Sequence, residues 1–207
     1  RYLQHPPYLN PWEDTHPVRI AHLLELTAGL QDMSKREFEF NAPLTLEEAF
    51  AFEPQSRTVR WRPGLHAVYT NNGAGIAAAV LEKATQRSSE DFMQERLLVP
   101  MGMESASLTH DEATRARLAT GYAEDGRTVI PYWHILYRPA GAINASARQM
   151  AGFVQMLLNR GQVEDRRLLL EESIDRLETP ATTLAAKSGL TFGYGLGVYA
   201  HYRRGLL

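Results

Sequence analysis

The chain is 207 residues long, 44% hydrophobic and 22% charged, with a formal net charge of −2. That balance describes an ordinary globular protein, taken as a single domain over residues 1–207, with no electrostatic case for nucleic acid or an anionic membrane surface. The longest apolar run, Ile76–Leu81, is far too short to span a bilayer, and the absence of cysteine excludes disulfides, thiolate nucleophiles and Cys-type zinc sites.

Arg1 is not an initiator methionine and no charged-then-apolar leader opens the chain, which reads as a piece of a longer protein. Pro6, Pro7, Pro11 and Pro17, with Tyr2, Tyr8 and Trp12 among them, predict an irregular, aromatic-pinned lead-in. Val18–Thr27 has apolar residues at 20, 21, 23, 24 and 26, Pro17 ahead and Gly29 just past its end. Those are the signals of a short helix buried over much of its girth. Gln31–Pro43 is charged and predicted as loop. Thr45-Leu46-Glu47-Glu48 is a capping box opening a helix through Phe52, and Pro54–Gly64 is loop again.

Asn72–Gln86 is predicted as a helix buried on most sides, its Gly73, Gly75 and alanines permitting close backbone approach. Ser88 or Ser89 caps the next helix, with Glu90 and Asp91 in its first turn and Pro100 ending it. Residues 104–145 are weakly patterned, with Arg127–Ile130 a short strand. Ser146-Ala147-Arg148-Gln149 is a second capping box. It leads an amphipathic helix carrying Met150, Phe153, Val154, Leu157 and Leu158 and stopping at Gly161, with Met150, Met156 and Leu157 read as core. Leu168–Leu177 is predicted as a helix ended by Pro180, and Gly193–Val198 as the glycine-marked start of a strand. The pattern is mainly helical, with few short strands.

Chemistry concentrates at Tyr69-Thr70-Asn71, eight residues after Trp61 and directly ahead of the apolar helix. Residues two apart in an extended turn point to the same side. A phenol exchanges a proton where nearby cations favour the phenolate, and a carboxamide both donates and accepts. The bland alternatives are a half-buried loop tyrosine and a helix-capping asparagine. Asn72 is the better-placed cap, which leaves Asn71 for substrate. Seven scattered histidines, His22 among them, form no metal pattern, so no metal is predicted. Trp133, His134 and Tyr137 either flank a cleft or pack.

Several segments stand in a telling order: Arg19–Leu30 (RIAHLLELTAGL), Trp61-Arg62-Pro63-Gly64, Tyr69-Thr70-Asn71, Leu98-Val99-Pro100-Met101-Gly102-Met103, Ala140-Gly141-Ala142-Ile143 and Tyr194-Gly195-Leu196-Gly197. This order resembles the serine β-lactamase and penicillin-binding-protein superfamily, most of all its class C-like branch, which includes D,D-peptidases, D-aminopeptidases and family VIII esterases. The resemblance implies the mainly α portion of the α/β β-lactamase/transpeptidase-like fold, as a partial, central helical piece of that domain. It implies a serine hydrolase acting on a small-molecule amide or ester through an acyl-serine. Tyr69 would be catalytic and Asn71 substrate-binding, with no cofactor and a periplasmic or secreted location.

That chemistry also needs Ser-x-x-Lys and a Lys- or His-x-Gly strand. The three lysines, Lys35, Lys83 and Lys187, follow Asp32, Val80 and Leu184 at that spacing, so no Ser-x-x-Lys exists here. Both missing elements are expected outside these residues, and the chain alone is expected to be inactive and to self-associate through exposed apolar surface. The alternative is a catalytically dead binding or regulatory module. Lys187-Ser188-Gly189 matches the third motif by letter but precedes Tyr194–Gly197, the wrong order for the family, and is expected on a surface loop away from Tyr69.

Overall fold

A computed structural model describes Tyr2, Leu3 and residues 5–201. Capping residues decide where most helices begin. Thr45 accepts from the Glu48 N–H and opens α2 (Leu46–Ala51), while Ser88 accepts from Asp91 and opens α4 (Ser89–Met93). Ser146 accepts from Gln149 and opens α6 (Ala147–Leu158). Between them lies α3 (Asn72–Thr85), the longest helix. Ahead of α2 stands α1 (Ile20–Leu24); α5 (Glu112–Arg115), α7 (Glu171–Glu178) and α8 (Leu184–Lys187) complete the helical set.

The strands form three separate antiparallel pairs: β1 (Gly121–Tyr122) with β2 (Val129–Ile130), β3 (Gln162–Val163) with β4 (Arg166–Arg167), and β5 (Gly193–Tyr194) with β6 (Tyr199–Ala200). Among the described residues no larger sheet forms. No helix among them is long and apolar enough to cross a membrane.

Three apolar clusters hold these pieces. Leu23, Ala28, Leu30, Val59 and Ile76 fill the space between α1 and α3. Met33, Ala49, Leu136 and Tyr137 lie under α2, and Leu98, Met101, Met103, Met156 and Ile174 anchor α6 and α7. The small residues of α3 work as their composition implies. A Cβ on Gly73 would stand 2.7 Å from the Leu23 carbonyl oxygen, and one on Gly75 would stand 2.5 Å from the Tyr137 ring.

Several sequence expectations change. The first helix keeps only Ile20–Leu24 of Val18–Thr27, because Leu26 turns the backbone left-handed (φ 57°). Pro100 lies inside a 3-10 turn, Val99–Met101, and Gly102 (φ 72°) ends the run instead. The helix expected from Leu168 starts at Glu171, since Arg166 and Arg167 pair back onto Val163 and Gln162. Short helices at Glu112 and Leu184, opened by Asp111 and Thr183, went unpredicted.

Met150 is not core. It shares an exposed stripe with Val154 and Leu158, while Met156 is the buried member of α6, with Phe153 and Leu157 packed partly buried beside it.

Candidate active site

Two of the segments that carry the sequence pattern, Arg19–Leu30 and Trp61–Gly64, meet in one backbone seam that leads to Tyr69. Arg60 N–H donates to the Gly29 carbonyl at 2.7 Å, Gly64 to Thr27 at 2.8 Å and Val68 to Leu26 at 2.7 Å. Gly29 (φ 73°) has no substitute, since a Cβ there would sit 2.0 Å from the Trp61 carbonyl oxygen. The seam fixes the line along which residues 68–72 run toward α3.

At its end each residue of the Tyr-Thr-Asn-Asn run takes a different task. Thr70 is buried, donates to the Gln31 carbonyl at 3.0 Å and accepts the Asn72 N–H at 3.1 Å. Asn72, fully buried, donates to the carbonyls of Gln31 (2.8 Å) and Ser56 (3.3 Å), and its Oδ1 has no protein partner. It is the first residue of α3 rather than its cap: a cap's side-chain oxygen accepts a helix N–H, and Asn72 Oδ1 accepts none.

Asn71 precedes the helix without capping it. Its backbone N–H donates to Asp32 Oδ1 at 2.8 Å, and its Nδ2 lies 3.2 and 3.4 Å from the two Asp32 oxygens. Asn71 is therefore engaged by Asp32 on its nitrogen side. Tyr69 is 59% exposed, and its hydroxyl donates to Asn71 Oδ1 at 3.2 Å. The structure thus joins Tyr69 and Asn71 directly and adds Asp32, which sequence reading missed.

Beneath the site lies a layer of buried charge. Arg57 donates to the carbonyls of Pro7 (2.8 Å), Phe52 (3.3 Å) and Phe50 and to the Tyr137 hydroxyl (2.7 Å). Burial pushes the Tyr137 hydroxyl up to about 12, Glu37 adding to the rise and Arg57 opposing it. Glu37 accepts from Ser34 N–H (2.6 Å) and from Ser56 Oγ (2.8 Å), and Ser56 also receives Asn72 on its carbonyl. These contacts hold the start of α3 from below.

The remaining candidates separate cleanly. Lys187 is exposed at the last turn of α8, and Ser188 and Gly189 close that turn through bonds to the Leu184 and Ala186 carbonyls, both 3.0 Å. The Lys-Ser-Gly triplet therefore lies at a helix end, not in the expected loop and not on an edge strand. His22 accepts the Arg19 N–H at 3.2 Å, and burial, with Arg19 and Lys187 nearby, lowers its pKa against the opposing effect of Glu25. Among the described residues no three His, Cys, Asp or Glu side chains gather as a metal set.

Of the 133–137 cluster, Tyr137 and His134 are buried and pack. Trp133 instead lines a concavity of about 600 Å³ with Tyr132, Ile130 and Arg115. A second concavity of about 640 Å³ lies between the proline-rich lead-in and α1.

The profile of the Beta-lactamase family matches residues 2–206, and the chain belongs to that family. Over 200 residues it is 28% identical to a D-aminopeptidase of Brucella anthropi, covering 94% of this chain and 36% of that one. Over 144 residues it is 25% identical to a β-lactamase of Yersinia enterocolitica, covering 70% of this chain and 35% of that one. Both relatives are hydrolases, and the chain spans about a third of their length.

Among solved structures, a β-lactamase/D-alanine carboxypeptidase from Yersinia pestis superposes with TM-score 0.70 at 18% identity, over 98% of this chain and 58% of that one. The octameric penicillin-binding protein homologue from Pyrococcus abyssi gives 0.64 at 21% identity, over 91% and 46%. The fold is thus the β-lactamase/transpeptidase-like one; the described residues hold helices and two-residue hairpins of it, without an extended sheet.

Proposed function

We propose that the gene product carrying residues 1–207 is a serine hydrolase that cleaves an amide or ester through an acyl-serine intermediate. Tyr69 moves the proton between the attacking serine and the leaving group, and Asn71 holds the substrate beside it. The observation that carries this reading is the exposed Tyr69 hydroxyl bonded to the Asn71 carboxamide at the entrance to α3, on a backbone pinned by Thr70, Asn72 and Asp32. An exposed phenol on a rigid base reaches substrate without first being freed from the core.

The serine and its lysine come from residues outside these 207, so the chain alone is expected to show no turnover. D-amino acid amides are the first substrates to try, because the Brucella anthropi D-aminopeptidase aligns with 94% of the chain. Assays of the whole gene product on D-alanine p-nitroanilide, a chromogenic cephalosporin and a nitrophenyl ester test the reading. Tyr69→Phe should lower kcat by about a hundredfold or more. Unchanged turnover in that variant would remove Tyr69 from the mechanism, and turnover by the 207-residue chain, abolished by a serine-directed acylating reagent, would reveal a missed nucleophile.

The second reading is a catalytically dead relative that only binds ligand at Tyr69, which loss of Ser-x-x-Lys from the upstream sequence would favour. A gene product that binds these substrates without consuming them would establish it.

A further inference from the structure

His134 is a buried imidazole outside the Tyr69 site, and rings surround it. Tyr132 meets it edge-on with centroids 5.1 Å apart, His110 meets it at 5.8 Å, and His110 in turn stacks on Tyr132 at 3.8 Å. The cluster thus joins residue 110 to a segment more than twenty positions further on. That segment is also laced to the loop ahead of α2. His134 N–H donates to the Phe40 carbonyl at 2.8 Å, and Phe40 N–H donates to the His134 carbonyl at 3.0 Å. Pro131, Tyr132 and Trp133, immediately before the lace, line the concavity of about 600 Å³.

A proton on His134 would meet no carboxylate there. On the loop ahead of α2, Glu37 gives its carboxylate to Ser34 and Ser56, and Glu39 is exposed. Asp111, beside His110, accepts the Thr114 N–H. Arg138, on the same segment as His134, is itself paired with Glu90. Burial, then His110, then Arg138 hold the His134 pKa below the ordinary 6.5. A histidine depressed in the closed form is neutral there, and opening restores its ordinary value and takes up a proton. Acid therefore favours opening below about pH 6.5.

We propose that the His110–Tyr132–His134 ring cluster is an acid-released clasp, which holds residues 131–134 against Phe40 at neutral pH and frees them in acid, withdrawing one wall of the concavity. The clasp makes no use of Tyr69 or Asn71, so it stands or falls separately from the catalytic reading.

Hydrogen exchange in the whole gene product, corrected for the intrinsic pH dependence of exchange, reads the lace at the Phe40 and His134 amides. Between about pH 7 and about pH 5 their protection should fall by about threefold or more relative to amides inside α3. His134→Phe keeps a ring in place with nothing to protonate, and should hold the protection level. Protection that stays flat in wild type, or a fall that persists in His134→Phe, overturns the clasp. Where His134→Phe proves insoluble, His110→Phe serves instead. It keeps a ring on Tyr132 and removes one of the groups opposing a charge on His134, so the acid fall should shrink. An undiminished fall in that variant would likewise overturn the proposal.

Discussion

The half of the chain up to about residue 100 and the half beyond it solve the same problem differently. In the first, buried polar groups tie distant backbone together: Arg57 reaches Pro7, Phe50 and Phe52, Asn72 reaches Gln31 and Ser56, and Thr70 reaches Gln31. In the second, a few tied arginines, Arg138 on Glu90 and the Leu44 carbonyl and Arg160 on Glu178, stand among local ladders of two residues and apolar contacts around Met103 and Met156, with Tyr122, Val129, Ile130, Val154 and Leu158 left exposed. Cross-chain polar ties are costly to break because each loss strands several partners, whereas a two-residue hairpin loses little beyond itself. The candidate site stands on the first kind of foundation, which is where a reaction needing fixed geometry belongs.

The largest expected effect comes from Arg57. Its replacement by Met strands three carbonyls and the Tyr137 hydroxyl, and urea unfolding should register a loss of about 3–5 kcal/mol. A loss near zero would mean that the polar layer is not what distinguishes the first half. Gly75→Ala comes next. Its methyl group would meet the Tyr137 ring at 2.5 Å, and overpacking of this kind costs about 1–3 kcal/mol.

Glu25 links the two halves and tests them by pH. Burial alone would raise its pKa, but hydrogen bonds from Thr182 and Arg176 and from the Ala181 and Thr182 N–H groups outweigh burial and lower it below the ordinary 4.5. A depressed carboxylate contributes stability that is present above the unfolded value and lost as pH falls through the folded one. Wild type should therefore lose stability below about pH 4.5 more steeply than Glu25→Gln, which is read from denaturation midpoints across an acid series. Parallel curves would mean that the bonds from Arg176, Ala181 and Thr182 do not hold Glu25 ionised.

At the small end stands Asp125, exposed in the β1–β2 turn and pushed down to about 2 by the Thr128 hydroxyl and the Arg127 and Thr128 N–H groups. Asp125→Ala should speed hydrogen exchange at Thr128 and leave the global melting temperature where it was. A global shift would show that the hairpins are more deeply coupled than their pairing implies.

What the sequence made legible follows from what is local. The capping boxes at Thr45 and Ser146 bind groups three residues apart, so their letters suffice, and both helices start where expected. That Tyr69 and Asn71 share a side is equally local and readable for the same reason, though their hydrogen bond was not foreseen. Asp32 was not, because a single acid in a charged loop has no spacing to mark it and its partner is remote. The exposure of Met150 was hidden by periodicity itself: an apolar stripe shows that a face is apolar, not that something covers it.

One feature of the seam carries over into how this protein can be recombined. Gly29 and Trp61 touch backbone to backbone, and Thr27 and Gly64 are joined by a hydrogen bond, so two motifs that look like separate words are halves of one part. A chimaera with a homologue that crosses over between positions 31 and 57 would splice one parent's glycine turn to the other's tryptophan turn. Crossovers placed before Arg19 or after Thr85 inherit the seam whole, so a library drawn at those boundaries should yield more folded members than one cut between them.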